Sequence, residues 1–530
     1  MQINKVLNNT FNSLIESKLY DNISSFFNYK NINNIVISNI LIQKIEDIDK
    51  LNILLELELF LNTKIKLLNI EITLQEDQNQ ILEVLKYYKQ LKKLLTTINL
   101  NRPNKYPTLK ESNKLRELLD INTNGKLLKE TFFQHLKVKK IVNSDSQLLL
   151  NPFTSLINLH YIYLDTEYYI TFQAELNYKG HYYKIDLKDI ILYAPKKDKL
   201  VKYLLNDTNK LYVVTYLRDI SSRIILFKYL LNTEHKPQNI QIYLTNYKKE
   251  FMNNIKLNNN QINEKSNENI FTSNEINTGV TNGTQIIITR SEEAMKTLLH
   301  EAIHFYNMDF RDIPQYINEW VFGNFNLESY SMGEKNNDIL IFEAYTEFMA
   351  SIFHIISRIY NSKTKSVRML STTGKVKMFL QILKEQIIYT FNKCCQILAV
   401  SKCQKFDEFK INNKDNNKIT NNTCKLIEDT NVFCYYYLKL CMYLHIDSIL
   451  KLCNVETGKF NNEDKSFKKL LSIFKSCYKN IKFKENMNKG IRKYYKLYKS
   501  NKHKNKNKIN IKTLKTSSYN IKSLKMVIID

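Results

Sequence analysis

A chain of 530 residues with 43% hydrophobic and 25% charged residues can bury more than one core, which excludes a disordered chain and argues for two to four domains. The formal charge of +26 invites a nucleic-acid or anionic-membrane partner, yet residues 479–525 hold sixteen Lys or Arg against the single acid Glu485, so the body is only mildly basic. Lys, Asn, Ile and Tyr are over-used while Gly (9), Pro (6) and Trp (1) are scarce, a skew toward A/T-rich codons that fits an AT-rich organism or large DNA virus and carries no chemistry.

Residues 1–150 are expected to form a mostly helical N-terminal domain, clearest in QILEVLKYYKQLKKLL (80–95), where apolar residues recur at three and four. In LELELFLNTKIKLLNIEITL (55–74) alternation around Asn62-Thr63 makes a hairpin compete with helix, and the two prolines of RPNKYP (102–107) mark a turn or linker. Across 151–290 the period becomes two. HYIYLDTEYYITFQAELNYKGHYYKIDL (160–187) predicts three strands joined at 164–166 and 179–180, and LYVVTYL (211–217) and IQIYL (240–244) predict two more. The polar interval 253–284 reads as a loop or insertion, followed by a short strand, QIIIT (285–289). Thr289 and Glu292 have capping-box spacing, so the chain is expected to turn into a helix there. Residues 291–480 are expected to be helical, with apolar periods at 377–400 and 431–453 around a polar loop at 410–423, and 481–530 a basic tail. All eight cysteines lie between Cys394 and Cys477 without a C-x-x-C pair, which predicts buried free thiols, with a disulfide-bonded C-terminal region as the alternative. No apolar run is long enough to span a membrane, and the first residues lack a signal peptide's apolar stretch, so the expected location is intracellular, cytoplasmic or virion-associated.

The chemistry concentrates in LLHEAIHFYN (298–307). On a helix, His300 and His304 share one face about 6 Å apart along the axis and can reach one metal ion, while Glu301, turned by about 100°, can face a water on that ion. Two neutral imidazoles and a carboxylate suit zinc and leave a fourth position open. A second apolar helix, DILIFEAYTEFMASIFHIISRIY (338–360), carries Glu343 and Glu347 four apart. Two acids on a buried face need positive partners, which a metal ion for Glu343 and an imidazole N–H for Glu347 would supply; a solvent-facing pair bridged to lysines is the alternative.

Together these segments resemble the zincin metallopeptidases of the gluzincin type, in which H-E-x-x-H is followed by a downstream helix bearing E-x-x-x-D/E. The likeness covers residues 285–360. It implies an α+β, mainly helical chain whose catalytic domain has a β-rich upper wall, an H-E-x-x-H helix and a helical lower part. It further implies Zn²⁺ held by His300, His304 and Glu343, with Glu301 as general base and acid and Glu347 as the acceptor that orients a ligating imidazole. A protein or peptide is then the substrate, and QIIIT the edge strand that binds it. Asn307 and Phe310 stand where metzincins need Gly and His. Phe342 replaces the Asn that opens the second motif of thermolysin-like enzymes, and the insertion 308–337 offers Asp309, Asp312, Glu319 and Glu328 as rival third ligands.

An oxyanion donor is needed besides, for which Tyr330 and Tyr345 are candidates; His354 falls too far along its helix and reads as a packing residue. The segment Lys489–Lys525 interleaves Lys with Tyr494, Tyr495 and Tyr498, a mixture able to bind nucleic acid or another anionic surface. Two other readings stay open: a catalytically inactive zincin-like structural or assembly protein, and a nucleic-acid-binding protein acting through this tail.

Overall fold

The structure is a computed structural model that describes residues 66–75, 166–178, 181–194, 210–243, 249, 270–271, 276–331, 334–336, 339–360, 370–411, 424–453, 460–504 and 526–527, apart from isolated positions within these ranges. The described part is α+β and mainly helical, with two small sheets.

Alternation at two produces a long antiparallel ribbon. β2 (Thr166–Tyr178) and β3 (His181–Ala194) flank Lys179-Gly180 as expected, with Tyr178 opposite His181. The third strand expected from 160 lies outside the described residues, as do the helical segment 80–95 and the linker 102–107. β1 (Lys66–Gln75) pairs antiparallel with β2, so alternation prevails in that ambiguous stretch, and the sheet joins residues on both sides of position 150.

The sheet order is β1-β2-β3-β4-β7-β6, where β4 is Asn239–Tyr243, β6 Gly279–Thr281 and β7 Gln285–Ile288. β3, β4 and β7 run parallel; β6 precedes β7 and pairs antiparallel with it across the turn at Gly283, whose φ of +84° favours glycine. QIIIT is therefore an interior strand, and β6 forms the edge among the described residues, which corrects the expected edge strand. A second sheet, β5-β10-β8-β9, gathers Ile270–Phe271, Leu426–Glu428, Leu327–Ser331 and Glu334–Asn336. Two short strands thus fall inside the interval expected to be a loop.

Parallel strands need a crossover. α1 (Lys210–Leu231) provides it between β3 and β4, and LYVVTYL, expected to be a strand, forms its first two turns. That run taken alone favours extended chain, but the buried set continues through Leu217, Ile220, Ile224 and Phe227 at helical spacing, and burial outweighs local propensity.

The core centres on α2 (Ala294–Phe305), all of whose twelve residues are buried. Its N-cap is Glu293, four residues after the expected Thr289, with a φ of +59° and no cap bond from its side chain. α2 packs against α1, β6, β7 and α4 (Ile341–Tyr360), while α3 (Gln315–Asn324) and β8 and β9 occupy the 308–337 insertion. α5 (Thr372–Val400), N-capped by the Ser371 hydroxyl, lies beside a π-helical turn at Phe433–Leu438 that runs on into α6 (Lys439–Leu444) and, past His445, α7 (Ile446–Leu452). Cys403 and Cys424 form a disulfide and the other six cysteines are buried thiols, so the two expectations for the cysteines divide between them. No helix among the described residues is long and apolar enough to cross a membrane.

α8 (Asp464–Lys479) and α9 (Ile481–Lys504) correct the basic tail. α9 buries Phe483, Met487, Ile491 and Tyr494, spaced by four, four and three, and keeps Lys482, Lys489, Arg492 and Lys496 exposed. Tyr494 is thus unavailable for stacking on bases, Tyr495 packs against the core, and the side chain of Tyr498 lies outside the described residues.

α9 approaches α5 closely because position 490 lacks a side chain: a Cβ there would stand 2.5 Å from Cys395 Sγ. Gly490→Ala is expected to destabilise the fold by about 1–3 kcal/mol in urea unfolding, and exposed Lys489→Ala by less than about 0.5 kcal/mol.

Candidate metal centre

α2 places His300 and His304 one turn apart with their Nε2 atoms 3.1 Å from each other. Each Nδ1 has its own carboxylate. That of His300 lies 3.1 Å from Glu347 Oε2, and that of His304 lies 2.7 Å from Asp309 Oδ2. A local turn delivers Asp309: α2 ends with the amides of Asn307 and Met308 donating to the His304 and Ile303 carbonyls, and Asn307 takes φ +49°, a left-handed cap that asparagine tolerates. Asp309, one of the rival third ligands, therefore orients His304 instead.

The third donor comes from α4. Glu343 Oε2 is 3.2 Å from His300 Nε2 and 3.4 Å from His304 Nε2, and His300, His304 and Glu343 form a potential metal-holding group. The other rivals are elsewhere: Asp312 and Glu319 are exposed, and Glu328 is ion-paired to Lys425.

An ionised carboxylate accepts only, so Asp309 and Glu347 fix the proton of each imidazole on Nδ1 and leave both Nε2 lone pairs facing Glu343. Three acceptors at these separations repel one another unless a cation lies among them. Tetrahedral zinc with bonds of about 2.0–2.1 Å requires donors about 3.3 Å apart, so the donor set fits the ion in both type and spacing. Protons are the competing cations. Burial disfavours charge on both rings, but is outweighed at His300 by hydrogen bonds to Glu343 and Glu347 and at His304 by the Glu343 charge and the Asp309 hydrogen bond, so both pKa values rise. Glu343 is held far below the usual carboxylate range: burial alone would raise it, and the His304 charge and the His300 hydrogen bond prevail.

Glu347, one turn beyond Glu343, is completely buried. Its partners were missed in the sequence: Lys296 Nζ lies 2.5 Å from Oε2 and Lys439 Nζ 3.2 Å from Oε1, so the pair of acids is not solvent-facing. Burial acts against its ionisation, and the two ammonium groups overcome it, holding the carboxyl well below its ordinary value. The signal was there at Lys439, a lone charge in FCYYYLKLCMYL that must find a partner when buried, and not at Lys296, which has Glu292, Glu293 and Glu301 close in sequence.

Glu301 is buried on the flank toward β6, where a Cβ on Gly279 would meet its Oε1 at 2.7 Å. Burial raises its pKa, against the pull of His300 and His304. Of the tyrosines expected to serve the oxyanion, Tyr345 sits two residues after Glu343 and so on the opposite side of α4, buried between Phe310 and Phe460 with its hydroxyl 3.1 Å from Cys453 Sγ. Tyr330 faces Lys335 across the β8–β9 ladder, and its side chain lies outside the described residues. Tyr435 stands at the site instead, its hydroxyl donating to Glu343 Oε2 at 3.3 Å and its ring centroid 6.1 Å from that of His300. Nothing marked it among 34 tyrosines. His354 is fully buried in α4 and stands outside the cluster.

No protein-family model, curated protein or solved structure matches the chain. What the centre does must therefore follow from its own atoms.

Purified protein is expected to contain one equivalent of zinc by elemental analysis. His304→Ala should abolish stoichiometric uptake, and Asp309→Ala should weaken affinity by about 10–100-fold.

Proposed function

We propose that the chain is a zinc-dependent metallopeptidase of the zincin type. One observation carries the reading: two imidazole nitrogens and a carboxylate oxygen converge at 3.1–3.4 Å, each ring locked from behind by its own acid. When bound, zinc supplies Lewis-acid polarisation and brings the pKa of a water to about 7.

The chain's residues do the rest. Glu301, whose burial makes it a stronger base than an exposed glutamate, takes the proton of the attacking water and passes it to the leaving amine. Tyr435 keeps its proton, because burial and the Glu343 charge both push its pKa well up, and its single O–H, which rests on Glu343 Oε2, can turn to the oxyanion as charge develops there. Among the described residues β6, next to Glu301, is the edge strand, and its outer backbone groups are where an extended peptide can pair. With Tyr494 buried, a nucleic-acid role for Lys489–Lys525 loses one of the three rings that would stack on bases.

Against a peptide library, Glu301→Gln is expected to retain zinc and lose hydrolysis; retained hydrolysis would remove the assigned base. Tyr435→Phe should lower kcat by about 10²–10³-fold with little change in KM. Gly279→Ala, which drives a methyl group into Glu301, should lower kcat by about 10²-fold while zinc stays bound.

A further inference from the structure

Behind His300 lies a second buried charge cluster that the hydrolytic reading does not use. Glu347 binds Lys296 and Lys439. A second fully buried acid, Glu293, takes Lys249 at 2.8 Å on one oxygen. Its other oxygen accepts the backbone amides of Met526 and Val527, each at 2.8 Å and more than 230 residues away in sequence. The same segment reaches the lysines: the Met526 carbonyl accepts from Lys439 Nζ at 3.2 Å and from Gln386 Nε2 at 2.9 Å, and Met526 Sδ lies 3.5 Å from Lys296 Nζ. Both residues are buried.

Each group thus has one place to go. Lys439 spans Glu347 and the Met526 carbonyl, and Lys296 spans Glu347 and the Met526 sulfur. Removing the segment would take an acceptor from Lys439 and two donors from Glu293. A buried carboxylate short of donors competes for the ammonium groups around it: Lys249, which it already holds, and next Lys439, which its charge already reaches and which holds Glu347. Glu347 would then be free to turn away from His300 Nδ1, releasing the ring.

We propose that Lys296 and Lys439, sealed by the backbone of Met526–Val527, are positioning residues of the metal centre: they fix Glu347 so that it fixes His300, and metal affinity depends on a segment that touches no ligand. The proposal rests on the metal-centre reading above, and deepens it.

The test compares the full chain, a chain ending at Lys525, Lys439→Met, and the two changes combined. Zinc affinity is read by competition with a chromophoric chelator, and the ligand field by the visible spectrum of the Co²⁺ form. Truncation and Lys439→Met should each lower zinc affinity by about 10–100-fold, with an altered Co²⁺ spectrum and unchanged far-ultraviolet dichroism. The double change should cost less than the product of the two, because both act through one contact. A peptide of sequence KMVIID added to the truncated chain should restore affinity. Gly490→Ala, which loosens α9 without touching the cluster, serves as the destabilised control and should bind zinc as the full chain does. Unchanged affinity in both single variants overturns the proposal, and so does an equal loss in Gly490→Ala.

A full chain that takes up no zinc overturns the metal-centre reading itself. Amide hydrogen exchange of the metal-free protein then decides the seal: faster exchange across residues 294–304 in the truncated chain supports it, and unchanged exchange overturns it.

Discussion

Each imidazole of α2 has one nitrogen committed to a carboxylate, and the rest of the centre follows from that commitment. Because the acids accept and cannot donate, the ring protons stay on Nδ1 and the Nε2 lone pairs are driven toward each other and toward Glu343. In water such acceptors would each find a donor. In a buried pocket an unmet acceptor costs about 1–3 kcal/mol, and three facing one another add mutual repulsion. Protons relieve this by making imidazolium, and the raised histidine pKa values express that tendency. A divalent cation relieves it more completely, because one ion satisfies all three donors at once.

The second constraint is the cost of the buried ions themselves. Glu293, Glu347, Lys249, Lys296 and Lys439 are all almost fully shielded from solvent. Networks of this kind rarely stabilise a fold more than well-packed apolar residues of similar volume would, so net stability gives little reason to keep one. Orientation gives a better reason. A carboxylate held on both oxygens by ammonium groups cannot rotate, and the imidazole it faces inherits that rigidity.

What could be read from the sequence divides along the range of the interactions. The spacing of His300, His304, Glu343 and Glu347 was legible because helical periodicity alone decides which side chains share a face, and the geometry brings those residues together. The hairpin of β2 and β3 was legible for the same reason at period two. LYVVTYL misled because seven residues are too few to separate the two periods, and the apolar positions that decide for helix, Ile220, Ile224 and Phe227, lie beyond it. Tyr345 is expected as an oxyanion donor, yet two residues past Glu343 is just over half a helical turn, and the tyrosine that reaches the site comes from the π-helical turn some ninety residues downstream. Lysine-rich composition suggested a free tail, but an apolar stripe at three and four pins the first part of it against α5.

The two histidines also differ in what they require of the chain. His304 and Asp309 lie five residues apart, joined by the turn at Asn307, so that half of the centre forms wherever α2 forms. His300 depends on α4 for Glu347, on α6 for Lys439 and on the Met526–Val527 segment for the seal, so its half exists only when distant parts of the fold have docked. A cation that needs both halves binds the assembled state and not the partly folded one. By mass action it then stabilises the packing of α2, α4 and α6, by about 2.7 kcal/mol at a concentration one hundred times its dissociation constant. On this geometry the binding of such a cation and the closure of the helical core would be one equilibrium, and a residue that holds Glu347 in place would act on both.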